Sequence, residues 1–231
     1  MPSDKDYKST KKIKQNISNI KEEFEPLAQW IDEKYGVKTL NLIFDYMDNA
    51  KSHPRLQVCL EYAMDKGKFM DNATYNFDET KQNEIAEKFA EVTSDYELKI
   101  KQNWIKKIFG LTYKSTNLFV YFTDFESIAK IEANEKISEK EIRKLQAKIN
   151  NKELWTISRA FSGVTYFLYT DEQLKKYQDS ETHKKWKNHY YKLLKEYDEF
   201  DYFKNDYFYF ELDSKENFDK NYESNWYYYY K

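Results

Sequence analysis

Glycine is scarce in this 231-residue chain, with four residues, Gly36, Gly67, Gly110 and Gly163, spread far apart. A phosphate-cradling loop needs several glycines in one turn, so that backbone N–H groups can approach the ligand. Nucleotide-binding loops of that kind are therefore excluded, and no Gly-x-Ser-x-Gly elbow exists. Proline occurs three times, and the single cysteine, Cys59, excludes an internal disulfide. Histidine, the usual general base and metal ligand near neutral pH, occurs only at positions 53, 183 and 189. No apolar run approaches the roughly 20 residues of a membrane span. The N-terminus lacks the apolar core of about 7–15 residues that marks a signal peptide. A dominant sign of charge is missing too, since 38 basic against 40 acidic residues leave a formal charge of -2. Such balance gives no steering towards nucleic acid or an anionic membrane. The chain reads as a cytoplasmic protein without a cofactor motif, for which neither nucleic acid nor membrane is expected as a partner. Its oligomeric state is left open.

What is abundant is aromatic. Eighteen of the 43 Phe, Trp and Tyr residues fall between Trp186 and Lys231, ending in Trp226-Tyr227-Tyr228-Tyr229-Tyr230. AT-rich codons inflate Lys, Asn, Ile, Phe and Tyr together, which accounts for part of their number and not for their clustering. The mean hydropathy of -0.98 understates burial, because tyrosine scores as polar yet buries a large ring. A tail this rich is either the core of the C-terminal half or a binding surface.

Periodicity predicts an α+β fold, mostly antiparallel, with helices packed on the sheet. Ile13, Ile17, Ile20, Phe24, Leu27 and Ile31 recur at helical steps. Pro26 interrupts them, which predicts helices near 8–23 and 26–35 that pack on the chain's own sheet. From Val37 the period becomes two, with Leu40, Leu42, Phe44 and Tyr46, and then Leu56, Val58, Leu60 and Tyr62, forming an antiparallel pair. Ile85, Phe89 and Val92 mark a helix, and 118–122 a central strand. The second half repeats this order, with strands at 155–161, 164–170 and 206–212, a long helix over 171–198 and a last strand at 226–230. The chain thus divides into an N-terminal helical segment (1–36), a first α+β half (37–150) and an aromatic-rich second half (151–231). The parallel order suggests a duplicated ββαβ unit.

Candidate chemistry is sparse. His183 and His189 lie six apart, off the i, i+4 spacing of a helical metal site, so no metal site is expected. Cys59 sits on the polar face of a strand beside Gln57 and Glu61, a structural setting rather than a nucleophilic one. The acid-x-Lys pattern of metal nucleases occurs at Asp6/Lys8, Asp32/Lys34, Glu79/Lys81, Glu97/Lys99 and Asp213/Lys215, a frequency that charge content alone delivers. Arg159 shares a predicted inward face with Trp155, Ile157 and Phe161. It must therefore be paired, in a buried ion pair with Asp124 or Asp213, or else serve as an anion site.

Along 206–213, Phe208, Phe210 and Leu212 should face the core and leave Tyr207, Tyr209, Glu211 and Asp213 outward. Tyrosine on a strand offers rigid amphipathic contact. Residues 201–231 carry seven acidic and four basic side chains, the wrong sign for nucleic acid and the right one for a basic protein. These four residues are the expected partner-binding site, with no catalytic residue assigned. By analogy of type with small bacterial-looking chains, the expected role is a non-catalytic protein-binding protein, an inhibitor or immunity protein that neutralises a toxin or effector. The other reading is an enzyme on nucleotides or nucleic acid, with dispersed Arg, His and carboxylates assembled in space.

Overall fold

The computed structural model describes residues 1–71, 73–101, 117–205 and 207–231, the side chains of 97–101 excepted. Gly110, Asp206 and the side chains of Glu97 and Lys99 lie outside the described residues. The chain forms two compact units, Met1–Ser127 and Ile128–Lys231. Its class is α+β.

The first unit contains α1 (Lys5–Lys14), α2 (Glu25–Tyr35), β1 (Thr39–Tyr46), β2 (Pro54–Leu60), α3 (Ala63–Gly67), α4 (Glu79–Lys101) and β3 (Phe119–Asp124). Proline in the first turn starts α2, and Gly36, with a φ of 61°, stops it. The stripe expected from Ile13 to Ile31 is split. Helix α1 ends at Lys14, leaving Ile17 exposed, whereas Phe24, Leu27 and Ile31 are buried against Leu42, Leu56, Val58, Phe89 and Phe122. Helix α1 contributes Tyr7 and Thr10 instead. Tyr7 stacks on Phe125, and the Thr10 hydroxyl accepts from Asn41.

Strands β1 and β2 form the expected antiparallel hairpin, but β3 joins β2 in parallel. The sheet is mixed because the route from β2 to β3 runs through α3 and α4, and a helical crossover returns the chain in its original direction.

The second unit repeats the plan. It has α5 (Phe125–Lys136), whose first residues belong to the first unit, then α6 (Glu139–Ile149), β4 (Leu154–Ala160), β5 (Gly163–Leu168), α7 (Asp171–Tyr177), α8 (Glu181–Lys195), β6 (Phe210–Ser214), α9 (Lys215–Tyr222) and α10 (Trp226–Tyr229). Strand β4 pairs antiparallel with β5, and β6 joins β5 in parallel. The agreement reaches single residues. Each hairpin has a register shift at the same place, between Thr39 and Asn41 and between Leu154 and Thr156. After β3, the Glu126 carboxylate accepts from the Ala63 backbone N–H at 3.0 Å; after β6, Glu216 accepts from that of Asp171 at 2.7 Å. The repeated order read from the sequence is thus present down to its bulges and caps.

Three elements differ from expectation. The helix over 171–198 is broken into α7 and α8, because Thr170 and Ser180 each cap a new N-terminus. Strand β6 begins only at Phe210. The tail at 226–230 is a helical turn, not a strand. The Asn225 side chain caps it by accepting from the Tyr227 N–H, and its rings pack on the sheet face rather than extending the ladder.

Candidate protein-binding surface

The β4–β5 hairpin closes through two residues, Phe161 and Ser162, between the paired Ala160 and Gly163. Beneath it lies Asn134 of α5, only 2% exposed. Its Nδ2 donates to the carbonyls of Phe161 and Gly163, both at 2.9 Å, and its Oδ1 accepts from the Tyr190 hydroxyl at 2.5 Å. The turn is therefore pinned from inside the core. Phe161 has a φ of 51° and a 64% exposed side chain, so it points away from the core that the sequence assigned to it. Trp155, also expected inward, is displaced for a different reason, the register shift after Leu154. The shift puts Leu154 and Ile157 on the core side while Trp155 stacks with Trp226 on the opposite face.

Tyr209 lies against this hairpin. Its carbonyl accepts from the Val164 N–H, and a Cβ built on Gly163 would stand 2.6 Å from Tyr209 Cδ1. Gly163 is thus required for the approach of the ring. Tyr209 remains 57% exposed and Tyr207 87%, while Phe208 between them is 6% exposed and packs near Tyr190 and Tyr191. Glu211 is exposed as well. Burial, with the neighbouring Glu211 carboxylate adding to it, pushes the Tyr209 hydroxyl up to about 12. That group is a neutral donor at any physiological pH.

Asp213, the fourth expected residue, is occupied by the fold. Its carboxylate accepts from Asn217 Nδ2, from the Ser214 N–H and from the Tyr229 hydroxyl at 2.6 Å. The last contact anchors α10, whose Trp226 stacks on Phe218 at 4.2 Å between ring centres, with Trp155 and Phe167 beside it. Tyr230 adds a hydrogen bond to Ser158. Burial and the Asp213 bond raise the Tyr229 hydroxyl well above its ordinary value.

Arg159 is ion-paired, with a different partner from those expected. It binds Glu139 at 2.5 Å and donates to the carbonyls of Asn134 and Ile137, which terminate α5. A guanidinium over the last carbonyls of a helix satisfies groups that the helix leaves open. Beside it a cleft of about 410 Å³ is lined by Glu135, Glu139, Thr156, Ser158, Phe161 and Trp226 among others. His183 stacks on Phe210, and His53 bonds Asp48 at the surface. Among the described residues no group of three His, Cys, Asp or Glu could hold a metal ion, and no helix is long and apolar enough to cross a membrane. Cys59 is buried, and burial pushes its thiol up to about 11, far from a reactive thiolate.

Asn134 and the outward Phe161 escaped the sequence reading. A polar, helix-poor residue on the buried side of α5, next to Ala133 and Ile137, was the available signal for the first. Comparisons of the chain with protein-family models, with curated proteins and with solved structures gave no match.

Proposed function

We propose that this chain is a non-catalytic protein-binding protein, of the inhibitor or immunity type, that engages a basic protein through Tyr207, Tyr209 and Glu211. One observation carries the reading. Two outward tyrosines flanking a buried Phe208 stand 87% and 57% exposed, beside the exposed Glu211 carboxylate, which the Tyr209 hydroxyl bonds. Exposed aromatic side chains are frequent energetic centres of protein interfaces, and the acidic surround selects a partner of opposite sign. Asp213 serves this surface indirectly, by fixing the tail.

The test is co-expression of the full chain with the product of each neighbouring reading frame, followed by co-purification. A basic neighbour should be retained by the native chain and lost by the Tyr207→Ala, Tyr209→Ala double variant. Retention of no neighbour, or equal retention by the variant, would sink the reading.

A further inference from the structure

Phe161 occupies a backbone conformation that its own side chain opposes. A φ of 51° suits glycine or asparagine, whereas a bulky residue there clashes with its own carbonyl. Two-residue hairpins give such positions to Gly, Asn or Asp. Burial does not compensate, since the ring is 64% exposed. The conformation is nevertheless enforced by Asn134, which holds the carbonyls on both sides of the tip from a position only 2% exposed.

The architecture itself does not ask for this ring. In the first unit the matching hairpin closes over residues 47–53 with a polar loop, in which the Asp48 carboxylate accepts from the Ser52 and His53 N–H groups. Strain enforced by a buried network and not repaid by packing marks a functional position.

We infer that Phe161 is the anchor of the binding surface: an aromatic knob that enters an apolar pocket, rimmed with basic side chains, on a protein partner. This rests on the protein-binding reading above. Tyr209 lies on Gly163, two residues further along, and so adjoins the knob. Arg159 and Glu139 line the cleft on its flank as a mutually neutral ion pair, which leaves Glu135 there, with Glu211 beside Tyr209, as the acidic charges near the knob. The acidic rim supplies the complement to a basic one.

Two full-length variants separate the ring from the strain. Phe161→Asn removes both, and Phe161→Leu removes the ring while keeping a side chain unsuited to positive φ. Relief of strain should raise the Tm of Phe161→Asn by roughly 2–4 °C, with Phe161→Leu close to native. A fall in Tm for Phe161→Asn would show that the ring serves the fold, and would overturn the inference alone. The binding probe is a yeast-displayed library of single-domain antibody fragments selected on the native chain. Enriched fragments should carry Lys or Arg, and should bind both Phe161 variants about 30-fold more weakly or worse. Fragments that depend on Tyr207 and Tyr209 but not on Phe161 would leave the surface standing and remove Phe161 as its anchor. Fragments indifferent to all three residues would remove both readings.

Discussion

The Tyr190 hydroxyl donates to Asn134 Oδ1, which completes the hydrogen bonding of the buried amide. With Oδ1 taken, Nδ2 must face the two hairpin carbonyls, which can only accept. Asn134→Ala should therefore take the side-chain donor from two carbonyls and the acceptor from a buried hydroxyl, at a cost of about 2–4 kcal/mol. Tyr190→Phe, which strands one acceptor, should cost about 1 kcal/mol. Urea unfolding of the two variants, compared at equal m-values, checks the order.

Gly163 should tolerate no side chain. Alanine places a methyl group against Cδ1, Cγ and Cβ of Tyr209, and a ring blocked at its Cβ cannot swing clear without moving the backbone of 208–210. Gly163→Ala should thus weaken partner binding as much as Tyr209→Ala does while leaving the core near Tyr190 formed. Ring signals of Tyr209 unchanged in the NMR spectrum of the variant would refute this.

The tail should be indispensable. Removing residues 225–231 uncovers Trp155, Phe167 and Phe218 together and deprives Asp213 of Tyr229. Losing even the half-buried Trp226 ring should cost roughly 2 kcal/mol. The truncated chain should bind a hydrophobic dye and lose its near-ultraviolet dichroism. A soluble product with an unchanged Tm would show that α10 contributes nothing to the second unit.

Stability should fall on acidification in two stages. Burial holds His183 and His189 below the ordinary histidine value, with Lys187 beside the first and Lys148, Lys185 and Lys192 beside the second acting in the same direction, against Asp179. The unfolded chain then takes up these protons at a higher pH than the folded one. Their contribution is full above about pH 6.5 and is lost as pH drops through the folded values. Glu141, bonded by Ser138 and Tyr197, and Asp201, paired with Lys195 and Lys204, are both held down to about 2. Their contribution is full above the ordinary carboxylate range and fades towards pH 2. Tm measured from pH 8 to 2 should show the shallow first decline, and His183→Gln with His189→Gln should flatten it.

Charge reversal separates the two acidic residues. Glu211→Lys should slow association with a basic partner more than it speeds dissociation, with the fold intact. Asp213→Lys should destabilise the chain itself, because it breaks the bonds to Asn217 and Tyr229. Stopped-flow binding beside thermal melts distinguishes them.

Legibility followed locality. Helix α2 was readable because Pro26, Gly36 and an apolar stripe agree, and β2 because Leu56, Val58 and Leu60 alternate. The hairpin tip was not. Phe161 leaves the strand's alternation because it sits in the turn at positive φ, and the register shift after Leu154 separates Trp155 from the face of Ile157; no local signal announces either. The tail was misread because tyrosine's strand preference yields to a tertiary gain, the packing of Trp226 on Phe218 and Phe167. The partners of Arg159, the end of α5 and Glu139, are fixed only by the placement of helices, which is why Asp124 and Asp213 were the wrong candidates. Cys59 is unreactive chiefly through burial, with Thr123 and Thr10 beside it, a tertiary setting that its strand neighbours Gln57 and Glu61 do not announce.

The parallel rings of Trp155 and Trp226, 10° apart in plane and 6.1 Å between centres, have an optical consequence. Two indoles held in this way share their excitation, and Trp226 borders the same cleft as Phe161. Any event that lifts the tail or fills that cleft changes the coupling between them. The chain therefore carries its own chromophoric gauge at the surface assigned to its partner, and occupancy there can be followed by light without attaching a label.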